Sequence, residues 1–387
     1  MLKNTLNFRP FLLAVLGAGM FSCGESNEVP VVPETPLRSK IEYTTLTATT
    51  PYAATFVDAS NKTTVDFTNG NNRYKMFQLL NTYISTSVSG NKLIDATVLK
   101  NMFSNTGSPF TDSVKLNTSG LQLKSIVASS WPTADADVVR ARFEQLFTEQ
   151  AEASKSIANV ASIGKAGKAG TYLVNAQGIE PIQIIQKSLI GSLQYDYIGN
   201  VLLTKGLDAD NKTVVSGKNY TQLEQNWDEA YGLLTLSPIY LNGATDAVRG
   251  TTEFALGSYI WEYNRTISPK IYPAFLKGRA AIANNDKTEL KVQADFIKAQ
   301  MEKAIASAAV GYLGKYIDAT TDAARVHAMG EGLGFVYSLR FATVNGGTAK
   351  FSDDLLTALV GSANGVWDLT PKKLTDASDA IKAKFKL

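Results

Sequence analysis

The sequence predicts an all-α body that follows a short irregular N-terminal segment. Beyond residue 70, apolar residues recur mostly at intervals of three and four, which is the spacing of an amphipathic helix. Only residues 41–67, rich in Thr and Tyr, look irregular or extended. The chain has 387 residues, of which 44% are hydrophobic and 19% charged, so it can bury one or two cores and is neither disordered nor fibrous. About ten helices are expected, in one large bundle or, as the preferred interpretation, two packed bundles.

Residues 1–22 read as a signal peptide. A basic start with Lys3 and Arg9 precedes an apolar run that ends just before Ser22 and Cys23. The run is shorter than the roughly 20 residues that a membrane span needs. Its end resembles the loose lipobox of bacterial lipoproteins, which implies that Cys23 becomes the lipidated first residue of the mature chain. The alternative is a conventional signal peptide followed by a free thiol, a liability in an oxidising compartment.

The lipoprotein resemblance also implies a location. Gly24 follows the cysteine in place of the aspartate that retains such lipoproteins at the inner membrane, so the outer membrane is expected, with the periplasmic or cell-surface face left open. Residues 23–40 contain three prolines and no helical period. At about 3.1 Å per residue, this lipid-anchored tether could hold the body, residues 41–387, roughly 40 to 50 Å from the lipid.

Seven segments of the body carry the clearest helical patterns. Thr221 and Glu224 form a capping box at the start of one, and Thr370 with Pro371 supplies an N-cap and a first-turn proline for the last. The glycine-rich segment 164–170 lacks the spacing of a phosphate loop and is predicted to be a hinge between two helical halves. The seven predicted helices are 134–160, 177–203, 221–234, 253–264, 288–312, 321–341 and 370–384.

Composition limits the chemistry. The chain has one cysteine and one histidine, so no disulfide forms within it and sites that need two histidines are excluded, including the ferritin-like di-iron site and the H-E-x-x-H peptidase site. A Ser-His-Asp triad is disfavoured because no Gly-x-Ser-x-Gly elbow occurs. Outside residues 1–22, 36 basic residues face 35 acidic ones. This near-neutral balance argues against a nucleic-acid partner.

One predicted helix combines unusual groups. In 321–341, His327 and Glu331 are four residues apart and therefore project from one helix face. Gly330, Gly332 and Gly334 interrupt the same helix, each at a cost of about 1 kcal/mol relative to alanine. Close approach of another backbone usually offsets such a cost, so we expect a tight helix crossing and a partly buried histidine that needs a partner.

Two interpretations of this pair stay open. The first is a structural pair in which the Glu331 carboxylate accepts a hydrogen bond from His327 or binds an arginine, either Arg325 or Arg340. The second is a metal site for iron or manganese, which suit one imidazole and several oxygen ligands. Its ligands would be His327, Glu331, Asp228 and Glu229.

Several blocks together resemble a family of uncharacterised lipoproteins of Gram-negative bacteria, a domain-of-unknown-function family related to the imelysins. The blocks span most of the mature chain and are 73–80, 101–110, 116–124, 178–181, 226–232 and 327–340. Imelysins are all-α proteins with two helical bundles, were named for a supposed insulin-cleaving peptidase activity, and are in many cases linked to iron uptake. Their hallmark is Gly-x-His-x-x-Glu. Here Arg325 stands in place of the glycine, and His327 and Glu331 are one residue further apart, so the resemblance implies fold and setting rather than ligand geometry.

Three functions remain as hypotheses. The first is a non-enzymatic binding lipoprotein that assists uptake of iron or another nutrient beside an outer-membrane receptor, with a divalent metal such as iron as a possible cofactor. The second is a metal-dependent hydrolase of the imelysin type, centred on His327 and Glu331. The third is a structural or interaction module of a surface complex.

Overall fold

A computed structural model describes residues 37–111, 113–249 and 255–387, and it confirms the mainly helical body. These ranges hold fourteen α-helices and one two-stranded sheet. Residues 37–387 form one compact unit. The predicted signal peptide, Cys23 and residues 24–36 of the tether lie outside the described residues. No helix in the described part of the chain is long and apolar enough to cross a membrane.

The α-helices are labelled in chain order. They are α1 Tyr52–Thr55, α2 Thr68–Ser89, α3 Ala96–Ser104, α4 Val114–Asn117, α5 Thr133–Ser154, α6 Pro181–Leu189, α7 Gln222–Leu234, α8 Asp246–Arg249, α9 Leu256–Tyr263, α10 Ile271–Ala283, α11 Lys287–Asp318, α12 Asp322–Ser338, α13 Ala349–Val360 and α14 Pro371–Phe385.

The centre of the body is the helix predicted over 177–203. It begins at Pro181, where proline suits a first turn, and continues beyond α6 as a π-helical segment, Ile190–Leu202. Nearly every residue of the π-helical segment is buried, as its wide apolar arc predicts. α12 packs along α6, and the long helix α11 packs along α12.

The predicted helix ends are confirmed where capping residues define them. Thr221 and Glu224 form the capping box at the start of α7, and the Thr370 side chain caps α14. α11 begins one residue earlier than predicted, where Asp286 caps it, and continues six residues beyond the predicted end, to Asp318. α5 ends at Ser154, six residues before the end of the predicted segment.

The segment 164–170 belongs to a β-hairpin. β1, Gly167–Ala169, pairs antiparallel with β2, Tyr172–Val174, and the hairpin packs on α12. Gly164 and Gly170 take positive φ angles of 72° and 61°, which glycine adopts without strain. Gly164 and Gly170 therefore allow the tight turns of this segment.

Residues 37–67 are irregular, as predicted, and cross the body. A single 3-10 turn, the four-residue α1 and a short bridge between Val57 and Thr63 are their regular elements. The Arg38 guanidinium lies 2.7 Å from the Glu224 carboxylate, and the Ile41 backbone N–H donates to the Asn284 side chain over 2.8 Å. The segment that leads in from the tether is thereby fixed to α7 and to the end of α10.

Candidate functional site

His327 and Glu331 lie where α12 crosses α6, and small residues make this crossing close. A Cβ atom on Gly330 would lie 3.1 Å from the Cβ atoms of Glu180 and Gln183, and one on Gly334 would lie 2.5 Å from the Cβ atom of Lys187. Both glycines therefore face α6, which confirms the tight crossing expected from the sequence. Two side chains of the α6 region, Glu180 and Lys187, are brought against the pair.

Glu180 is the partner of His327. It occupies the N-cap position of α6, and its Oε2 atom lies 2.7 Å from His327 Nδ1. The ring of Tyr172, on β2, stacks on the imidazole with the centroids 4.0 Å apart. The His327 side chain keeps 30% of its surface exposed, whereas Glu180 is buried. The histidine is thus clamped between the hairpin and α6, with one side open to solvent.

The electrostatics of this contact favour a protonated imidazole. Burial alone would lower the pKa of His327, but the hydrogen bond and charge of Glu180 outweigh it, so the pKa is raised from its usual value of 6.5. Burial raises the pKa of Glu180, against the opposing effect of His327. The contact between Glu180 and His327 is therefore strongest when the imidazole is protonated and the carboxylate is ionised.

Glu331 is paired with a buried lysine. Lys187 Nζ lies 3.1 Å from Glu331 Oε1, while His327 Nε2 lies 4.0 Å from the same oxygen. Burial lowers the pKa of Lys187, and Glu331 opposes this. Burial would raise the pKa of Glu331, but the Lys187 charge and a nearby tyrosine, Tyr312, outweigh it and the pKa is lowered. Glu180, Lys187, His327 and Glu331, hereafter the His327 cluster, form a chain of alternating acids and bases.

Asp228 and Glu229 do not join this cluster. Asp228 accepts hydrogen bonds from Arg279 Nε, at 3.2 Å, and from the Tyr52 hydroxyl, at 3.0 Å. Burial raises the pKa of Asp228 to about 7. Glu229 is paired with Arg73. Asp228 and Glu229 therefore each have an arginine partner, and the structure does not bring them to His327.

The His327 cluster fits a metal ion poorly. The Lys187 ammonium binds the Glu331 oxygen nearest to the imidazole, which places a positive charge where a cation would sit. The hydrogen bond of His327 Nδ1 to Glu180 leaves Nε2 as the nitrogen that could bind a metal, and the oxygen that faces it, Glu331 Oε1, is the one that Lys187 binds. In the described residues, no group of three or more His, Cys, Asp or Glu side chains could hold a metal ion. Iron or manganese binding by His327, Glu331, Asp228 and Glu229 stays a prediction that this geometry does not favour.

A cleft of about 1150 Å³ opens on the other side of α6 and α12. α5 and α13 form its walls, and α6 and α12 form its floor. Its residues on α5 recur every three or four positions from Pro132 to Glu149, a length of about 25 Å at 1.5 Å per residue. Its apolar lining residues are Trp131, Pro132, Val138, Val139, Leu146, Ile179, Pro181, Ile184, Leu333, Leu356 and Val360.

The polar lining residues of the cleft are Asp135, Arg142, Glu149, Asn175, Gln177, Tyr337, Arg340 and Asp353. The Tyr337 ring lies against Phe143, in the middle of α5, with ring centroids 6.3 Å apart. Trp131, just before α5, packs against Phe341, the neighbour of Arg340, with ring centroids 4.9 Å apart. The volume exceeds the 300–1,000 Å³ or so that is usual for small-ligand pockets, and such an apolar cleft with a few polar groups is the usual form of a binding site.

Comparison with known protein families gives one match, over residues 52–387, to the family described as Domain of unknown function (DUF4856). The chain belongs to this family. No curated protein and no solved structure matches the chain. The DUF4856 match covers both the His327 cluster and the cleft, so both sites are part of the family's domain.

Sequence reasoning found half of the His327 cluster and missed Glu180 and Lys187. A signal for each was present: Glu180 directly precedes Pro181 at the helix start, and Lys187 is a single charge inside a widely apolar helix. Neither signal shows which residue is the partner of Glu180 or Lys187. The reason is that α6 and α12 are about 140 residues apart in the chain and come together through the helix crossing. The cleft was missed altogether, since its lining residues read as ordinary amphipathic stripes.

Proposed function

We propose that this chain is a lipid-anchored, non-enzymatic binding protein of the outer membrane that holds its ligand in the cleft. In this proposal Cys23 carries the lipid, residues 23–36 form the tether, and the body works beside an outer-membrane receptor in uptake of iron or another nutrient. The resemblance to the imelysins, with their link to iron uptake, supports the setting. The single observation that carries the proposal is the 1150 Å³ apolar cleft.

The alternative of a metal-dependent hydrolase centred on His327 and Glu331 has less support. Hydrolysis needs a free base or an open metal position. Glu331 is held by the Lys187 ammonium at 3.1 Å, and Glu180 raises the pKa of His327, which favours the protonated imidazole over the free base. These ion pairs suit a structural role at the helix crossing better than catalysis.

A binding titration tests the proposal. The probe is the methyl ester of dansyl-labelled undecanoic acid, an uncharged elongated molecule whose fluorescence rises on transfer out of water. We expect saturable binding near one equivalent, because the cleft removes apolar surface from water. Val138→Trp should weaken binding: Val138 lines the cleft yet is 70% exposed, so a larger side chain there narrows the cleft without disturbing the core.

Val292→Trp is the matched control. Val292 is 54% exposed on α11, outside the cleft, and its replacement should leave binding unchanged. Absence of binding to the wild-type protein, or equal binding by both tryptophan variants, would overturn the proposal. An interaction module of a surface complex would then be the better account.

A further inference from the structure

The cleft holds hydrogen-bond donors that the protein leaves unused. Arg340 is 8% exposed, and it donates from Nε to the Tyr337 carbonyl over 3.0 Å and from Nη2 to Asp353 over 2.6 Å and to Ser352 over 3.2 Å. Among the described residues, its Nη1 atom has no hydrogen-bond partner. The Tyr337 hydroxyl, likewise, has none there. Both residues line the cleft, and neither atom is enclosed by protein, so both can reach a ligand.

These two donors are held rigidly. The Arg340 guanidinium carbon lies 3.6 Å from the centroid of the Tyr337 ring, so the two side chains stack. Burial raises the pKa of Tyr337, which keeps its hydroxyl protonated and able to donate at neutral pH. Donors fixed in advance bind a ligand without the entropy cost of ordering them.

The charge of Arg340 is only partly neutralised. Its acidic partner, Asp353, keeps 59% of its side chain exposed, so water screens that carboxylate while the guanidinium sits at the apolar floor. The second arginine of the cleft differs: Arg142 binds Glu149 over 2.6 Å, and both side chains are more than a third exposed. A positive charge beside apolar walls favours an anionic group at Arg340 rather than at Arg142.

We propose that the cleft binds an elongated amphipathic anion, an acyl chain with a carboxylate or phosphate head. The head accepts hydrogen bonds from Arg340 Nη1 and the Tyr337 hydroxyl, and the chain extends along the apolar wall of α5. This inference rests on the proposed function, since it names the ligand class of the same cleft. The length of the α5 wall, about 25 Å, matches a chain rather than a compact molecule.

The test compares dansyl-labelled undecanoic acid with its methyl ester on the wild-type protein. The two probes differ only in the charge of the head. We expect the acid to bind about ten- to a hundredfold more tightly, the range for a hydrogen bond to a charged group. Displacement of the acid by laurate and by dodecyl phosphate then ranks the carboxylate against the phosphate.

Variants assign the effect to the proposed donors. Arg340→Gln should remove the preference for the acid, because it weakens binding of the acid more than binding of the ester, and Tyr337→Phe should reduce the preference in part. Arg142→Gln tests the other arginine of the cleft. Lys291→Gln, which removes an exposed charge on α11 outside the cleft, is the control and should leave the preference unchanged. Circular dichroism of each variant confirms folding. Equal binding of acid and ester by the wild type would overturn this inference and leave the proposed function standing. Loss of the preference in Arg142→Gln but not in Arg340→Gln would also overturn it, and no binding of either probe would overturn both.

Discussion

Lys187 is a buried charged residue whose removal should destabilise the body. Its side chain is almost completely buried, and its ammonium lies 3.1 Å from the Glu331 carboxylate. Removing one member of a buried ion pair leaves the other charge without compensation, at a typical cost of about 3–5 kcal/mol, whereas replacing both with apolar residues is often close to neutral.

The first prediction is a double-mutant cycle. Lys187→Met should lower the free energy of unfolding by about 3–5 kcal/mol, because Glu331 then stays buried without its ammonium partner. Lys187→Met/Glu331→Leu should recover most of this loss. Urea denaturation of the single and double variants measures both values. Additive losses in the double variant would show that the two side chains do not act as a pair.

The second prediction concerns pH. The pKa of His327 is raised in the folded protein, so its contribution to stability is complete below 6.5 and is lost as pH rises through the folded pKa. Glu180→Gln keeps a hydrogen-bond acceptor but removes the charge that raises this pKa. The stability advantage of the wild type over Glu180→Gln should therefore be larger at pH 6 than at pH 8.

Comparing the two proteins at each pH removes the effect of Asp228, whose pKa of about 7 makes it titrate in the same range in both. Denaturant unfolding at pH 6 and pH 8 provides the four values. An advantage that is equal at both pH values, or larger at pH 8, would contradict the charge contact between Glu180 and His327.

At the scale of elements, the crossing of α12 on α6 depends on glycine. A Cβ atom on Gly334 would lie 2.5 Å from the Lys187 Cβ atom and 3.0 Å from the Gln183 backbone oxygen. A Cβ atom on Gly314, on α11, would have no neighbouring atom within 4 Å. The two glycines thus have different roles within helices of the same body.

The third prediction uses this contrast. Gly334→Ala should destabilise the protein by about 1–3 kcal/mol or more, because α12 must move away from α6. Gly314→Ala should stabilise it by up to about 1 kcal/mol, because alanine is the better helix former and meets nothing. Thermal unfolding of the two variants gives the comparison. A stabilising Gly334→Ala would show that the crossing is looser than described.

The elements that sequence could predict are those with local signals. The capping residues Thr221 and Thr370 define helix starts through contacts within a few residues, and apolar spacing identified the central helix. The hairpin at 167–174 was missed because glycines serve hinges and turns alike. The pairing of Glu180 with His327 and of Lys187 with Glu331 was missed because a tertiary crossing decides it.

At the scale of the whole molecule, membrane attachment and ligand binding are assigned to different parts of the chain, the tether and the body. Cys23 is the only cysteine of the chain and stands at the end of the apolar N-terminal run. The body begins with Arg38 fixed to Glu224 on α7. If Cys23 carries the lipid, membrane attachment should depend on that one side chain and not on the fold.

The fourth prediction tests this. Cys23→Ala, expressed in a Gram-negative host, should move from the membrane fraction to the soluble fraction and lose incorporation of a labelled fatty acid. The reason is that the lipid is attached to the Cys23 thiol in this proposal, and alanine cannot carry it. Fractionation and lipid labelling measure the outcome, with Val292→Trp as a control that keeps Cys23. A wild-type protein that is soluble and unlabelled would contradict the lipoprotein proposal.

The central claim is that the cleft between α5 and α13 is the binding site, and photo-crosslinking tests it most directly. A diazirine-bearing undecanoic acid is bound to the wild-type protein, irradiated, and mapped by peptide mass spectrometry. The account predicts adducts confined to peptides that contain the cleft walls, residues 131–149 and 349–360, and suppressed by Val138→Trp. Adducts concentrated on α11 or around His327, or unaffected by Val138→Trp, would contradict it.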